Sequence, residues 1–363
     1  MKRILLFIDN LGAGGAQRQL VGLAILLKNF GYEVKVLTYQ NFPFYLPELE
    51  KNNVDYEWLS KAENKYVRIY YIYKFVKKYR PDYLISYLET PSIISSLIKL
   101  FYNKFSLIVS ERNTTQKNGL REWMRFNLFR VAHKIVPNSY SQEVFIKKHY
   151  SFLSSKVVTI TNFVDTEIFC PQYHELRDVP EIVVAASIWE SKNTLNFIEA
   201  LDLLRKKQLK FHVSWYGKSL SNINYFDRCQ NKIKELGLEE YICLLDKTNK
   251  IIEKYNSADF LCLPSLYEGT PNVICEAISC GLPIICSDVC DNHIYVKESV
   301  NGFLFNPFSI ESISNAIEKM ITIDNETYLC YCQQSRMIAK SKLSKEVFVK
   351  KYIALITNVG KDV

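Results

Sequence analysis

The chain of 363 residues has no cysteine before Cys170, and none of its ten cysteines forms a C-x-x-C pair. Several stand inside apolar runs (Cys243, Cys262, Cys275, Cys286), so they read as small core residues in a reducing compartment rather than as a disulfide frame. The Cys330-x-Cys332 pair has no His or Cys partner at ligand spacing, and no metal site is expected there. Long apolar runs are missing too, since none reaches the roughly 18–20 residues that cross a bilayer. The first residues, MKRILLFIDN, hold five consecutive apolar positions before Asp9. That is short for a signal-peptide core and predicts a buried first strand, hence a cytoplasmic chain. Low hydrophobicity is not among the deficits. A content of 48% hydrophobic and 23% charged residues excludes a disordered chain, and the length allows two domains of ordinary size.

Acidic residues are scarce in one region. Residues 61–160 hold 18 Lys/Arg against 6 Asp/Glu, whereas the whole chain carries a net charge of +8. The basic positions alternate with aromatics, as in KYVRIYYIYKFVKKYR and REWMRFNLFR. No nucleic-acid motif accompanies them, so no nucleic-acid partner is expected. Two readings stay open: a solvated helix face with lysine stems lying along it, and a basic amphipathic face for an anionic membrane surface.

Strand and helix patterns alternate from end to end. RILLFI and EVKVLTY read as strands around a helix at 17–29, where Leu20, Leu23, Ala24 and Leu27 recur at helical spacing and Gly31 follows. DYLISY, SLIVS, KIVPNS and VVTI read as later strands, with helices at 91–100, 120–132 and 141–149. His133 falls at the end of this helical region and reads as a packing residue. The segment NFVDTEIFCPQYHELRDVP has two prolines and no period, which predicts a linker at 166–180. The alternation then restarts with EIVVAAS, KFHVSWYG, YICLLD, DFLCLPS and LPIICS. The fold class is therefore α/β: two doubly wound, Rossmann-like domains (1–165 and 181–344) facing a cleft, with a last helix from Lys345.

Gly12, Gly14 and Gly15 follow the first strand, where a dinucleotide fold carries its phosphate loop. The third glycine of that fingerprint is replaced by Gln17, and the end of the second strand offers Thr38, Tyr39 and Gln40 instead of an acid. A nicotinamide enzyme is thereby disfavoured, and the loop reads as a backbone turn beside the cleft.

The stretch EGTPNVICE, from Glu268 to Glu276, carries the most chemistry. Thr270 is placed to cap a helix whose first turn holds Pro271, which leaves the amides of Asn272 and Val273 pointing out of the helix start. A helix start binds phosphate through such amides and its partial positive charge. Glu276 follows about one and a half turns in, where a carboxylate can accept hydrogen bonds from a ribose, and Glu268 precedes the turn. Two carboxylates around a phosphate site describe a pocket for a nucleotide sugar.

The segment PSLYEGTPNVICEAISCGLPIICSDV resembles the donor-site signature of the family 4 retaining glycosyltransferases, which have the GT-B fold. NGFLF (Asn301 to Phe305) and LGAGGAQRQL fit the same pattern. The resemblance implies donor contacts by Glu276, Gly269, Thr270, Pro271, Asn272 and Val273, and contact of Glu268 with sugar hydroxyls. It implies a phosphate clamp of Arg and Lys five residues apart. Here Lys192 matches the Lys, whereas Ser187 replaces the Arg, and Lys218 beside Gly217 or Arg18 are the candidates to compensate. Gly14, Gly15, Gln17 and Arg18 match the family's first-domain loop. Glu111, Arg112 and Asn113 stand where family members place a polar residue over the donor sugar. The resemblance also implies that the last helix (345–363) crosses back onto the first domain. A UDP-sugar donor, a glycan or lipid-linked acceptor, a peripheral place at the inner face of the membrane, no cofactor and no catalytic metal complete the expectation. An epimerase acting on the same nucleotide sugar, and an inactive nucleotide-sugar-binding protein, are the rivals.

Overall fold

The computed structural model describes residues 1–112, 115, 118–218 and 222–359. The chain divides into two compact units, Met1–Phe163 with Lys345–Val363, and Val164–Ser344.

The strands of the first unit are β1 (Arg3–Phe7), β2 (Glu33–Thr38), β3 (Asp55–Trp58), β4 (Tyr83–Tyr87), β5 (Ser106–Glu111) and β6 (Lys134–Pro137). They pair in parallel in the order β3-β2-β1-β4-β5-β6, with Leu5 opposite both Lys35 and Leu84. The unbroken apolar run of β1 follows from burial on both faces. Ile4, Leu6 and Ile8 enter one cluster, Leu5 and Phe7 the other. The first cluster is closed by α1 (Gly15–Asn29), by α2 (Leu46–Lys51) and by the C-terminal helix Lys345–Val359, which buries Phe348, Val349, Tyr352, Leu355, Ile356 and Val359. The second is closed by α3 (Arg68–Tyr79), α4 (Glu89–Phe101), α5 (Leu120–Leu128) and α6 (Tyr140–His149).

Three local expectations change. The helix from Leu120 ends at Leu128 and tightens into a 3-10 turn, Phe129–Val131, so His133 lies outside it. His133 instead latches the start of β6 to β5, with the Leu107 amide donating to Nδ1 at 3.1 Å. VVTI is not a strand, since Val157 makes only an isolated bridge with Ile135. The elements β3 and α2 were not expected.

The second unit repeats the plan. Its strands are β7 (Glu181–Ala185), β8 (His212–Lys218), β9 (Ile242–Asp246), β10 (Phe260–Leu263), β11 (Ile284–Ser287) and β12 (Gly302–Phe305). They pair in parallel in the order β12-β11-β10-β7-β8-β9. The covering helices are α7 (Thr194–Lys206), α8 (Ile223–Glu235), α9 (Ile251–Asn256), α10 (Asn272–Ser279), α11 (Asn292–Tyr295), α12 (Ile310–Ile321) and α13 (Asn325–Leu343). Residues 165–180 belong to this unit, and Arg336 donates to the carbonyls of Thr166 and Phe169, both at 2.8 Å. The strand order reverses between β7 and β10, and such a reversal opens a crevice at the carboxyl ends of the two strands.

Candidate functional site

Two loops meet at that reversal. After β7 the chain passes Ala186 and Ser187, makes a 3-10 turn at Glu190–Lys192, and enters α7 through Asn193 in a left-handed conformation (φ 59°). The Asn193 side chain donates from Nδ2 to the Pro307 carbonyl at 2.7 Å, which holds this unusual backbone in place. After β10 the chain runs through Ser265 and Glu268 to α10. The Leu266 amide donates to the Ser191 carbonyl at 2.9 Å and stitches the loops together.

Lys192 and Glu268 face each other across this stitch, with Nζ 2.5 Å from Oε1. Ser265 Oγ donates to the same oxygen at 2.6 Å, and Ser265 is itself held by Ser287, whose Oγ donates to its carbonyl at 2.6 Å. The pair borders a small cleft of about 250 Å³ lined by Ala185, Ala186, Ser187, Lys192, Leu263, Glu268, Thr270, Pro271, Asn272 and Val273. Seven expected donor-side residues thus stand around one space: Ser187, Lys192, Glu268, Thr270, Pro271, Asn272 and Val273. Gly269 joins two of them in the chain.

The start of α10 differs from the sequence reading. Pro271 is the N-cap, with non-helical ψ of 74°, and the helix begins at Asn272. Thr270 is therefore not the cap. Its carbonyl accepts the Asn272 amide at 2.8 Å in a tight turn, so that amide is not open to a ligand. The amides of the following first-turn residues, Val273 and Ile274, have no intrahelical acceptor by the geometry of any helix start. Glu276 lies one turn further on, half-buried and outside the lining of the cleft.

Gly217 and Lys218 end β8 and also lie outside that lining. A Cβ on Gly217 would sit 1.8 Å from the Ala186 carbonyl oxygen, so glycine is needed for β8 to pass the loop after β7. The Lys218 ammonium lies over the Phe226 ring, 4.8 Å from its centroid.

In the first unit, Gly14 caps α1 with extended backbone and Gly15 is its first residue. Neither glycine has positive φ, so backbone freedom does not explain them. A Cβ on Gly14 would meet Gln17 Oε1 at 2.2 Å. Gln17 Nε2 reaches Asp9 Oδ1 and Asn10 Oδ1, both at 3.4 Å, while the Arg18 amide donates to the Gly14 carbonyl. Burial pushes the Asp9 carboxyl above its ordinary range. Asp9 and Asn10 escaped the sequence reading, and a polar pair ending an apolar strand was the available signal.

Glu111 and Arg112 part company at the end of β5. Glu111 is 2% exposed and its Oε2 lies 3.5 Å from Arg125 Nη1, while its Oε1 has no hydrogen-bond partner among the described residues. Burial raises its pKa to about 6, opposed by the Arg125 charge and assisted by Glu89. Arg125 also holds Glu89 at 3.2 Å and donates to Thr115 Oγ1 at 2.9 Å. Arg112 points into the unit, donating to the hydroxyls of Tyr87 and Tyr352 at 2.7 Å and to Asn162 Oδ1 at 3.0 Å. Its charge ties β5 to the C-terminal helix. Asn113 lies outside the described residues.

Among the described residues no group of His, Cys, Asp and Glu could hold a metal ion, and no helix is long and apolar enough to cross a membrane.

Two parallel six-stranded sheets, each doubly wound, define the GT-B fold. The group 1 glycosyl transferase model matches residues 169–342 and the Glycosyltransferase Family 4 model matches residues 13–168, and the chain belongs to the family 4 glycosyltransferases. It is 26% identical, over 94% of its length and 96% of the relative's, to an uncharacterized glycosyltransferase of Haemophilus influenzae. It is 25% identical, over 79% of its length and 81% of the relative's, to the N-acetylgalactosamine-N,N'-diacetylbacillosaminyl-diphospho-undecaprenol 4-alpha-N-acetylgalactosaminyltransferase of Campylobacter jejuni. The crystal structure of Anabaena HepE in complex with UDP shares the fold with a TM-score of 0.84, at 15% identity over 99% of this chain and 100% of that one.

Proposed function

We propose that this glycosyltransferase moves a hexosyl or N-acetylhexosaminyl group from a UDP-sugar to a hydroxyl of a lipid-linked or surface glycan, with retention at the anomeric carbon. The observation that carries the reading is the Lys192–Glu268 pair beside the start of α10, at the strand reversal of the second unit. As the glycosidic bond breaks, both of its electrons go to the diphosphate oxygen, and negative charge grows there. Lys192 and the first-turn amides of α10 supply fixed positive charge to that place, which serves in the stead of a metal ion. Lys192 is paired with Glu268. A bound diphosphate takes over the ammonium and frees the carboxylate to accept hydrogen bonds from sugar hydroxyls, while Glu276 takes the ribose. Ser265 keeps Glu268 aimed during that exchange.

Glu268 Oε1 already accepts from two donors, which fits a hydrogen-bonding role better than a nucleophilic one. The acceptor oxygen then attacks from the leaving-group face, and its proton passes to the departing phosphate. The Campylobacter relative is a 4-alpha-N-acetylgalactosaminyltransferase, which is in keeping with this outcome. That relative's undecaprenol-linked acceptor supports a lipid-linked acceptor here, and the UDP complex of the Anabaena protein supports a uridine donor. Lipid-linked acceptors place the enzyme at the inner face of a membrane as a peripheral protein.

A thermal-shift panel of UDP, GDP, ADP and CMP sugars tests the donor, because a ligand bound only by the folded state raises its stability. UDP and UDP-sugars are expected to raise the melting temperature. The responding donor, incubated with undecaprenyl-diphosphate sugars, is expected to give an extended lipid-linked product. An isomeric sugar nucleotide formed without acceptor identifies an epimerase instead, and donor binding without any turnover identifies the inactive binding protein.

A further inference from the structure

Helix α3 buries none of its aromatic residues fully: Tyr71, Tyr73, Phe75 and Tyr79 are half-buried against the core and Tyr70 is exposed. Ile72 and Val76, four apart, face the sheet, and the rest of RIYYIYKFVKKY turns outward or sideways. Tyr66 is 84% exposed and Phe101, at the end of α4, is 81% exposed. Between them Tyr66, Ile69, Tyr70, Tyr73, Leu97 and Phe101 line an open groove of about 490 Å³. Lysines ring it: Lys65 lies 5.1 Å from the Tyr66 ring centroid, Lys74 4.6 Å from Tyr70 and Lys77 5.8 Å from Tyr73. Residues 61–80 carry seven Lys/Arg and a single acid, Glu63.

We propose that this face of α3, with the end of α4, is the surface by which the protein lies on an anionic lipid bilayer. Tyrosines settle at headgroup depth, Ile69, Leu97 and Phe101 reach the acyl boundary, and the lysine ammoniums pair with lipid phosphates. An exposed apolar patch of this kind marks an interaction site. Its chemistry selects the partner. Protein interfaces are depleted in lysine at their cores, whereas these rings are framed by it. Nucleic acid also uses aromatic rings and cations, but no nucleic-acid motif accompanies them in this chain. The inference rests on the peripheral placement proposed above and names the surface that achieves it. It needs no donor, so its failure leaves the nucleotide site untouched.

The test is co-sedimentation of the full chain with vesicles of phosphatidylcholine alone, or with one-third phosphatidylglycerol, at ~0.1 M and ~1 M salt. Binding is expected to the anionic vesicles and to fall steeply at high salt, a readout that needs no variant. The triple variant Lys65→Gln, Lys74→Gln, Lys77→Gln is expected to bind roughly a hundredfold more weakly, on the basis of about fivefold per lysine near an anionic surface. The Lys→Arg triple is expected to retain binding, and Tyr66→Ser, Tyr70→Ser, Phe101→Ser to lose it at both salt concentrations. All three variants should keep the melting temperature and far-ultraviolet circular dichroism of the parent, which shows that they are folded. Failure of the parent chain to bind anionic vesicles, equal binding to phosphatidylcholine, or unchanged binding of the lysine triple overturns the proposal. Self-association through this face in place of vesicle binding overturns it as well.

Discussion

The carboxyl ends of the two sheets are made from similar parts and spend them differently. In the second unit, the loops after β7 and β10 bring Lys192 and Glu268 together at the rim of a cleft, partly exposed, with Ser265 and Ser287 holding them from behind. In the first unit, the end of β5 carries an equally charged pair, Glu111 and Arg112, but both are buried and held by internal partners. The difference is one of position. Lys192 and Glu268 stand at the strand reversal, where the sheet leaves a crevice, whereas β5 lies one strand away from the reversal between β1 and β4. A charge at the reversal is available to a ligand, and one beside it is enlisted by the fold.

Four experiments can break or sharpen this contrast. The largest effect is expected in the second unit: Lys192→Ala and Glu268→Gln should each lower turnover by roughly 10²–10³-fold. Their unfolding free energies in urea should change by no more than ~1 kcal/mol, since the pair is partly exposed. Arg112→Met should do the reverse, costing about 3 kcal/mol in urea unfolding through its lost charged hydrogen bonds. Its turnover, measured well below the melting temperature, should stay within tenfold of the parent. An Arg112 variant that is stable but inactive would erase the distinction.

Glu111 gives a pH signature. Its carboxyl is raised from 4.5 to about 6, so it holds its proton more tightly folded than unfolded. The resulting stability is present in full below pH 4.5 and is lost as pH rises through about 6, an effect of roughly 2 kcal/mol. Urea unfolding at several pH values should show that loss in the parent and not in Glu111→Gln. The smallest contrast concerns two glycines. Gly217→Ala forces a Cβ against a backbone oxygen at 1.8 Å and should cost roughly 1–3 kcal/mol. Gly14→Ala meets only the movable end of Gln17 and should cost less than ~1 kcal/mol in the same assay.

Apolar period and turn chemistry carried most of the architecture into the sequence. β1, α1 and the long C-terminal helix are legible because their buried positions repeat at two or at three and four residues. DYEW was missed as β3 because an edge strand with half-buried polar residues shows no apolar run. VVTI was overread because an apolar run does not reveal whether a neighbour completes the pairing. The motif around Glu268 was legible as a loop and helix start, yet the one-residue shift of that start turns on the Thr270–Asn272 turn, a detail of backbone geometry. Least legible was the fate of Glu111 and Arg112. Adjacent residues leaving a strand point to opposite sides, and only the packed C-terminal helix shows that Tyr352 waits for the arginine.

The central claim is that Lys192 and Glu268 exchange each other for a nucleotide diphosphate. Calorimetric titration of UDP into the parent chain and into Lys192→Ala tests it most directly. The account requires binding by the parent and at least a tenfold weaker Kd in the variant, at unchanged melting temperature of the unliganded chains. Equal affinities in the two proteins would place the phosphates elsewhere and contradict it.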